Sequence, residues 1–128
     1  MPLTNHKTSN FDIDFDFGSF SEQEIINIFE HNGRCEVKTE RNIWETTGNI
    51  AIEYRWKGNP SGISTTNADW WIHCLSKDNQ NIGMFMFKVK WLKNRIKQML
   101  IDGTATKSIG GDYNSASIIL IQIRNIYE

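Results

Sequence analysis

The 128-residue chain predicts an α/β (α+β) domain, a central mixed β-sheet flanked by helices. Three observations carry this. Apolar residues fall at helical spacing in two separated segments, after Ser21 and after Val89. Four strand-like runs lie between them, joined by turn-rich stretches and not by helices, which disfavours a doubly wound fold. A strongly apolar run closes the chain.

Taken in order, residues 1–10 are polar and read as a loose arm. Residues 11–17 alternate strictly, with Phe11, Ile13, Phe15 and Phe17 on one side and three aspartates on the other, the period of an extended strand. The aspartate stripe reads as a solvated face. Ser21 and Glu24 form a capping box, and Ile25, Ile26, Ile28 and Phe29 follow until Asn32-Gly33, which predicts a helix over about 21–31. Glu22 precedes Ile25, Ile26 and Phe29 by three, four and seven positions, so it projects from the buried side of that helix.

Strands are expected over residues 34–41 and 49–56, forming an antiparallel hairpin with a long loop between them. Residues 57–62 make a further turn. A third strand covers 70–75 and a fourth 84–89. Val89, Leu92, Ile96, Met99 and Leu100 then define a second helix, with Gly103 as its C-terminal cap and Lys90, Lys93, Arg95 and Lys97 on its other faces. After a loop containing Gly110-Gly111, residues 117–123 make the last strand, apolar enough to be central in the sheet.

Composition bounds the class. Apolar residues make up 39% and charged residues 23% of the chain, which therefore reads as one ordered domain over 1–128, able to bury roughly two-thirds of its unfolded surface. With no run long and apolar enough for a membrane span and no secretory leader pattern at the N-terminus, a cytoplasmic protein is expected. Cys35 and Cys74 lack CxxC spacing and read as small core residues, while His6, His31 and His73 are scattered. The net charge of −1 neither demands nor excludes a nucleic-acid partner.

Chemistry concentrates in the first strand, where Glu36, Lys38 and Glu40 share one face. Folding the expected hairpin on residue sums near 89 sets Glu36 opposite Glu53, with Cβ atoms within about 4.5–5.5 Å. Facing carboxylates repel unless a cation lies between them, and a divalent ion removes the conflict. Mg²⁺ accepts oxygen ligands and shares its remaining positions with water and phosphate, with Mn²⁺ as a substitute. Glu22 offers a third acid, and Lys38 stands ready to steady charge on an attacked phosphate. The plain alternative is a solvated sheet face held by Lys–Glu pairs.

A helix bearing a glutamate, a hairpin bearing Glu-x-Lys, then helix and strand resembles the PD-(D/E)xK nuclease superfamily. The segment Glu36-Val-Lys-Thr-Glu-Arg41, with Trp44, Thr47-Gly-Asn-Ile50, Ile52-Glu-Tyr54, Pro60-Ser-Gly62 and Ala68-Asp-Trp-Trp71, is similar to its small phage-type members. The resemblance spans roughly residues 17–75. It implies a restriction-endonuclease-like αβββαβ core and hydrolysis of DNA phosphodiester bonds by a Mg²⁺-dependent endonuclease of resolvase-like or intron-encoded type. Catalysis then falls to Glu36, Lys38 and Glu53, and metal binding to Glu22, Glu36 and Glu53. The superfamily places an aspartate on the strand before Glu-x-Lys, and no such strand intervenes here. Either Glu36 takes its place and Glu53 that of the second acid, with Lys38 or Arg55 as the cation, or Asp69 supplies the missing ligand; the first reading is preferred.

For the DNA itself, Arg41, Trp44, Arg55 and Lys57 mix cations with an aromatic around the hairpin loops. Lys90, Lys93 and Lys97 of the second helix add a basic stripe. A chain this short is expected to act as a homodimer, so that two sites address two strands. A non-catalytic DNA-binding or assembly module that retains the fold is the competing expectation.

Overall fold

A computed structural model describes residues 34–110 and 114–127, all within the unit Arg34–Glu128. The predicted helix over 21–31, the alternating residues 11–17, the N-terminal arm and Glu22 lie outside the described residues.

The fold is mixed α+β, with two sheets and two helices among the described residues. Strand β1 (Cys35–Glu40) is followed by a short helix α1 (Ile43–Thr47), β2 (Asn49–Trp56), β3 (Asn59–Pro60), β4 (Trp70–Lys77), β5 (Gln80–Lys88), the long helix α2 (Val89–Asp102), β6 (Ala105–Gly110) and β7 (Ala116–Gln122). The first sheet has the order β1-β4-β5, with β1 parallel to β4 and β5 antiparallel to it. The second has the order β3-β2-β7-β6 and is antiparallel throughout.

Two tight hairpins shape these sheets. Asp78 and Asn79, with φ of 52° and 64°, turn β4 into β5, and Lys57 and Gly58, at 49° and 82°, turn β2 into β3. Positive φ at both central residues matches the right-handed twist of the flanking strands, and Asp, Asn and Gly accept it at low cost.

The expected hairpin between the first two strands does not form, and the expected single central sheet is two sheets. Packing of apolar residues explains both departures. In β2, Ile50 and Ile52 pair with Ile121 and Ile119 of β7, and all four are buried. Pairing β2 with β1 would have set those isoleucines beside a strand rich in charge. Instead α1, ended by Gly48 at φ 73°, carries the chain from the first sheet to the second. Strand β7 is central in its sheet, as its apolar run predicts.

Strand β6 and helix α1 were not expected. Most of β6 is Thr, Lys, Ser and Gly on an edge, with only Ala105 buried, so no apolar period marks it. Strand β5 begins at Gln80 and not at Met84; its first half is exposed, Ile82 included, so no alternation of buried residues marks it.

Helix α2 follows its pattern closely. Val89, Leu92, Ile96 and Met99 are buried, and Gly103, at φ 86°, donates its backbone N–H to the Met99 carbonyl. These residues join Ile50, Ile52, Trp71, Phe87, Ile119 and Ile121 in one hydrophobic cluster. Arg95, expected on the basic face, instead donates to the backbone carbonyls of Asn125 and Ile126 over 2.7 and 2.8 Å, anchoring the C-terminal turn.

Candidate functional site

Strand β1 is oriented against intuition: its apolar side faces outward, with Val37 58% exposed. In the parallel register Glu36 stands beside Trp71 and Lys38 beside His73, so the charged residues share a face with two buried ones. Glu36 and Lys38 retain 33% and 42% side-chain exposure, whereas Glu40 retains only 13%. The face thus combines a partly exposed Lys–Glu pair, as the plain alternative expects, with the buried Trp71 and His73 beside it.

Each charge on it has a partner. Lys38 Nζ lies 3.1 Å from Glu36 Oε2 and 5.8 Å from the centroid of the Trp71 ring. Thr66 donates its hydroxyl to Glu36 Oε1 over 2.9 Å and accepts the backbone N–H of Ala68 over 3.1 Å, which fixes the hydroxyl's direction. The hydrogen bond from Lys38, then that from Thr66, hold the Glu36 carboxyl below its ordinary value of 4.5 against the opposing effect of desolvation. Glu36 is therefore a carboxylate at neutral pH, oriented on both oxygens.

Glu40 serves a different purpose. Its Oε1 accepts the backbone N–H of Ala51 over 2.7 Å and meets Nε2 of His73 at 2.8 Å. An indole N–H only donates, so the 3.1 Å bond from Trp71 Nε1 makes His73 Nδ1 an acceptor and leaves the ring proton on Nε2, facing Glu40. The result is a neutral imidazole in a chain Trp71–His73–Glu40–Ala51 that joins β4 and β1 to β2 of the second sheet.

Glu53 is not a cross-strand partner of Glu36. Its register neighbour is Ile118 of β7, and its Oε2 accepts the Ser61 hydroxyl over 2.7 Å. What relates the two glutamates is the loop 61–66, which holds Glu53 through Ser61 and Glu36 through Thr66. Gly62, at φ 53°, lies so close to β2 that a Cβ there would collide with the Glu53 carbonyl. Backbone bonds from Thr65 and Thr66 N–H to the Gly62 carbonyl, at 3.2 and 3.0 Å, keep the loop coiled over this contact.

Asp69, the other candidate ligand, forms an exposed ion pair with Arg34 at 3.5 Å. Together with Thr66 and Trp70 it lines a cleft of about 450 Å³ to which α2 contributes Lys90 and Lys93 and the end of β5 contributes Lys88. Thr66 thus touches both Glu36 and this basic cleft. Among the described residues no group of three or more His, Cys, Asp or Glu side chains is arranged to hold a metal ion. Glu22 lies outside them.

Of the residues expected to meet nucleic acid, Lys90 and Lys93 are brought together. Lys97 is exposed on α2 but does not line the cleft. Arg41 borders a separate depression with Glu40 and Asn42. Trp44 donates its indole N–H to the Ser76 carbonyl over 2.8 Å, which fastens α1 to β4. Arg55 is exposed near the end of β2, and Lys57 lies 5.9 Å from the Trp56 ring in the following turn.

Sequence reasoning missed Thr66, Trp71 and His73. Trp71 and His73 are two apart on a strand and so share a face, which was a usable signal. For Thr66 no local pattern existed. Compared with known proteins, the chain matches no family model, no curated protein and no solved structure. No helix among the described residues is long and apolar enough to cross a membrane.

Proposed function

We propose that the chain is a metal-dependent endodeoxyribonuclease, acting as a homodimer on DNA, with Glu36 and Lys38 at the reacting phosphate. The observation that carries this reading is the oriented Glu36 carboxylate, 3.1 Å from an ammonium group, sharing Thr66 with a cleft lined by lysines. The restriction-endonuclease-like arrangement of the core belongs to the same proposal.

The donor chemistry suits a hard cation. Mg²⁺ takes one or two carboxylates and completes its shell with water and substrate phosphate, so Glu36, with Glu53 as a further oxygen donor, would hold it. When bound, Mg²⁺ or Mn²⁺ polarises the phosphoryl group and makes water a stronger nucleophile. The chain's own residues do the rest. Thr66 keeps Glu36 aimed. Lys38 offsets the negative charge that grows as a water oxygen bonds to phosphorus and one ester oxygen departs with a proton.

A second reading is a non-catalytic DNA-binding module. It is favoured by the mutual satisfaction of Glu36 and Lys38 and by the lack of a three-acid group among the described residues. Plasmid and branched DNA incubated with Mg²⁺ or with EDTA separate the two. Mg²⁺-dependent cutting that disappears in Glu36→Ala/Lys38→Ala supports the enzyme. Equal cutting by both proteins, or binding indifferent to metal with no cutting, overturns it.

A further inference from the structure

The cleft beside Glu36 was not anticipated as a unit, and its walls are chemically one-sided. Lys90 and Lys93 are three apart on α2 and so lie on one side of the helix, where like charges repel. Neither has an ion-pair partner among the described residues, although Lys93 is half-buried. Asp69 is the acid lining the cleft, and Arg34 engages it. An aromatic wall is supplied by Trp70. Lys90 and Lys93, without acidic partners among the described residues, line one cleft with Trp70, whose ring centroid lies 5.8 Å from Lys88 Nζ. Such a mixture of cations and an aromatic matches a strand whose phosphates need neutralising and whose bases present π-faces.

Size narrows the ligand further. A cleft of about 450 Å³ has the capacity of a small-molecule site. It accommodates a nucleotide unit, whereas a paired duplex keeps its bases stacked inside and offers no free ring to Trp70. We infer that this cleft binds an unpaired strand of nucleic acid, its phosphates on Lys90 and Lys93 and a base against Trp70, and leads that strand past Thr66 to Glu36. The inference rests on the nuclease reading of Glu36 and Lys38, and it makes the preferred substrate a single strand or the unpaired arm of a branched one.

The test is fluorescence polarisation on the full chain in EDTA, with a labelled oligothymidylate, a blunt duplex of equal length and polyglutamate as competitor. The oligothymidylate binds more tightly than the duplex. Lys90→Gln/Lys93→Gln, which removes both charges, binds it at least tenfold more weakly. Each phosphate contact contributes about 0.7 to the logarithmic salt slope on single strands, so losing two lowers the slope by about 1.4. Trp70→Ala weakens binding at least about fivefold and Trp70→Phe restores most of it, the Phe variant serving if the Ala variant fails to fold. Unchanged affinity and slope in the double lysine variant overturn the inference, as do tighter binding of the duplex and equal competition by polyglutamate. Strand binding without cleavage sinks the nuclease reading and leaves the cleft, while cleavage insensitive to Lys90 and Lys93 does the reverse.

Discussion

Trp71 donates its indole N–H to Nδ1 of His73 over 3.1 Å, and that one bond dictates which ring nitrogen faces Glu40. The consequence reaches the candidate site, because the same indole lies 5.8 Å beneath Lys38. A tryptophan free to rotate would be a poor platform for a cation. With its N–H engaged and its ring buried, it holds one pose, and Lys38 is confined between that ring and Glu36.

Removing His73 should therefore destabilise the whole domain. His73→Ala leaves the Trp71 N–H without a partner, takes from Glu40 Oε1 one of its two hydrogen bonds while Ala51 keeps the other, and opens space in the core. An orphaned buried donor costs about 1–3 kcal/mol, and the cavity adds to it. Urea unfolding is expected to show a loss of about 3 kcal/mol. Glu40→Gln keeps an oxygen at the position that serves both Ala51 and His73 and should lose less. A His73→Ala loss under about 1 kcal/mol would mean the chain of bonds contributes nothing beyond ordinary packing.

The Glu36 carboxyl should leave a signature in acid. Its value is lowered in the folded state, so its stabilising contribution is complete above the ordinary value of 4.5 and disappears as pH falls through the lowered one. The stability difference between the natural chain and Glu36→Gln should stay level above that range and shrink below it. Lys38→Met and Thr66→Val should each move the carboxyl back toward 4.5, the lysine variant further, as read by carbon NMR titration. A larger shift from Thr66→Val than from Lys38→Met contradicts the ordering of causes.

Local pattern announced much of this fold and little of the site's wiring. The period of α2, its glycine cap and the apolar run of β7 were all visible, because burial on one face writes directly into residue spacing. The partnership of β1 was not visible. Glu-Val-Lys-Thr-Glu alternates equally well for an antiparallel hairpin and for a parallel edge, and the choice was made by Ile119 and Ile121, some 70 residues away, which claimed β2. Glu36 and Lys38 survive as neighbours because they are two apart on one strand. The relation of Glu36 to Glu53 changed, since it depended on register, and residues 61–66 now provide it. Long-range pairing of that kind leaves no trace within a window of a dozen residues.

Loop 61–66 offers a sharp test of that relation. Gly62→Ala must accommodate a side chain at φ 53° against the Glu53 carbonyl, and β2 is held on both edges, by β3 and β7, so its backbone has little room to yield. The expected loss is about 2 kcal/mol or more. Displacing the loop also removes Thr66 from Glu36, so the Glu36 titration should move in the same variant. A stability loss with an unaltered Glu36 titration would show that the loop's two ends act independently.

Lys38 separates chemistry from structure most cleanly. Its side chain is 42% exposed, so replacing it should cost little stability, since exposed ion pairs contribute only about 0–1 kcal/mol. If it offsets charge at the reacting phosphate, Lys38→Met should lower the rate of DNA cleavage by about 10²–10³, the usual effect of deleting one such donor. Lys38→Arg keeps the charge but carries it on a longer planar fork that stacks on the Trp71 ring and grips the Glu36 carboxylate with two bonds, which draws the cation away from the phosphate. It should recover only part of the rate while melting like the natural chain. Full activity in Lys38→Met would remove the lysine from the mechanism and leave Glu36 as a structural acid beside a basic cleft.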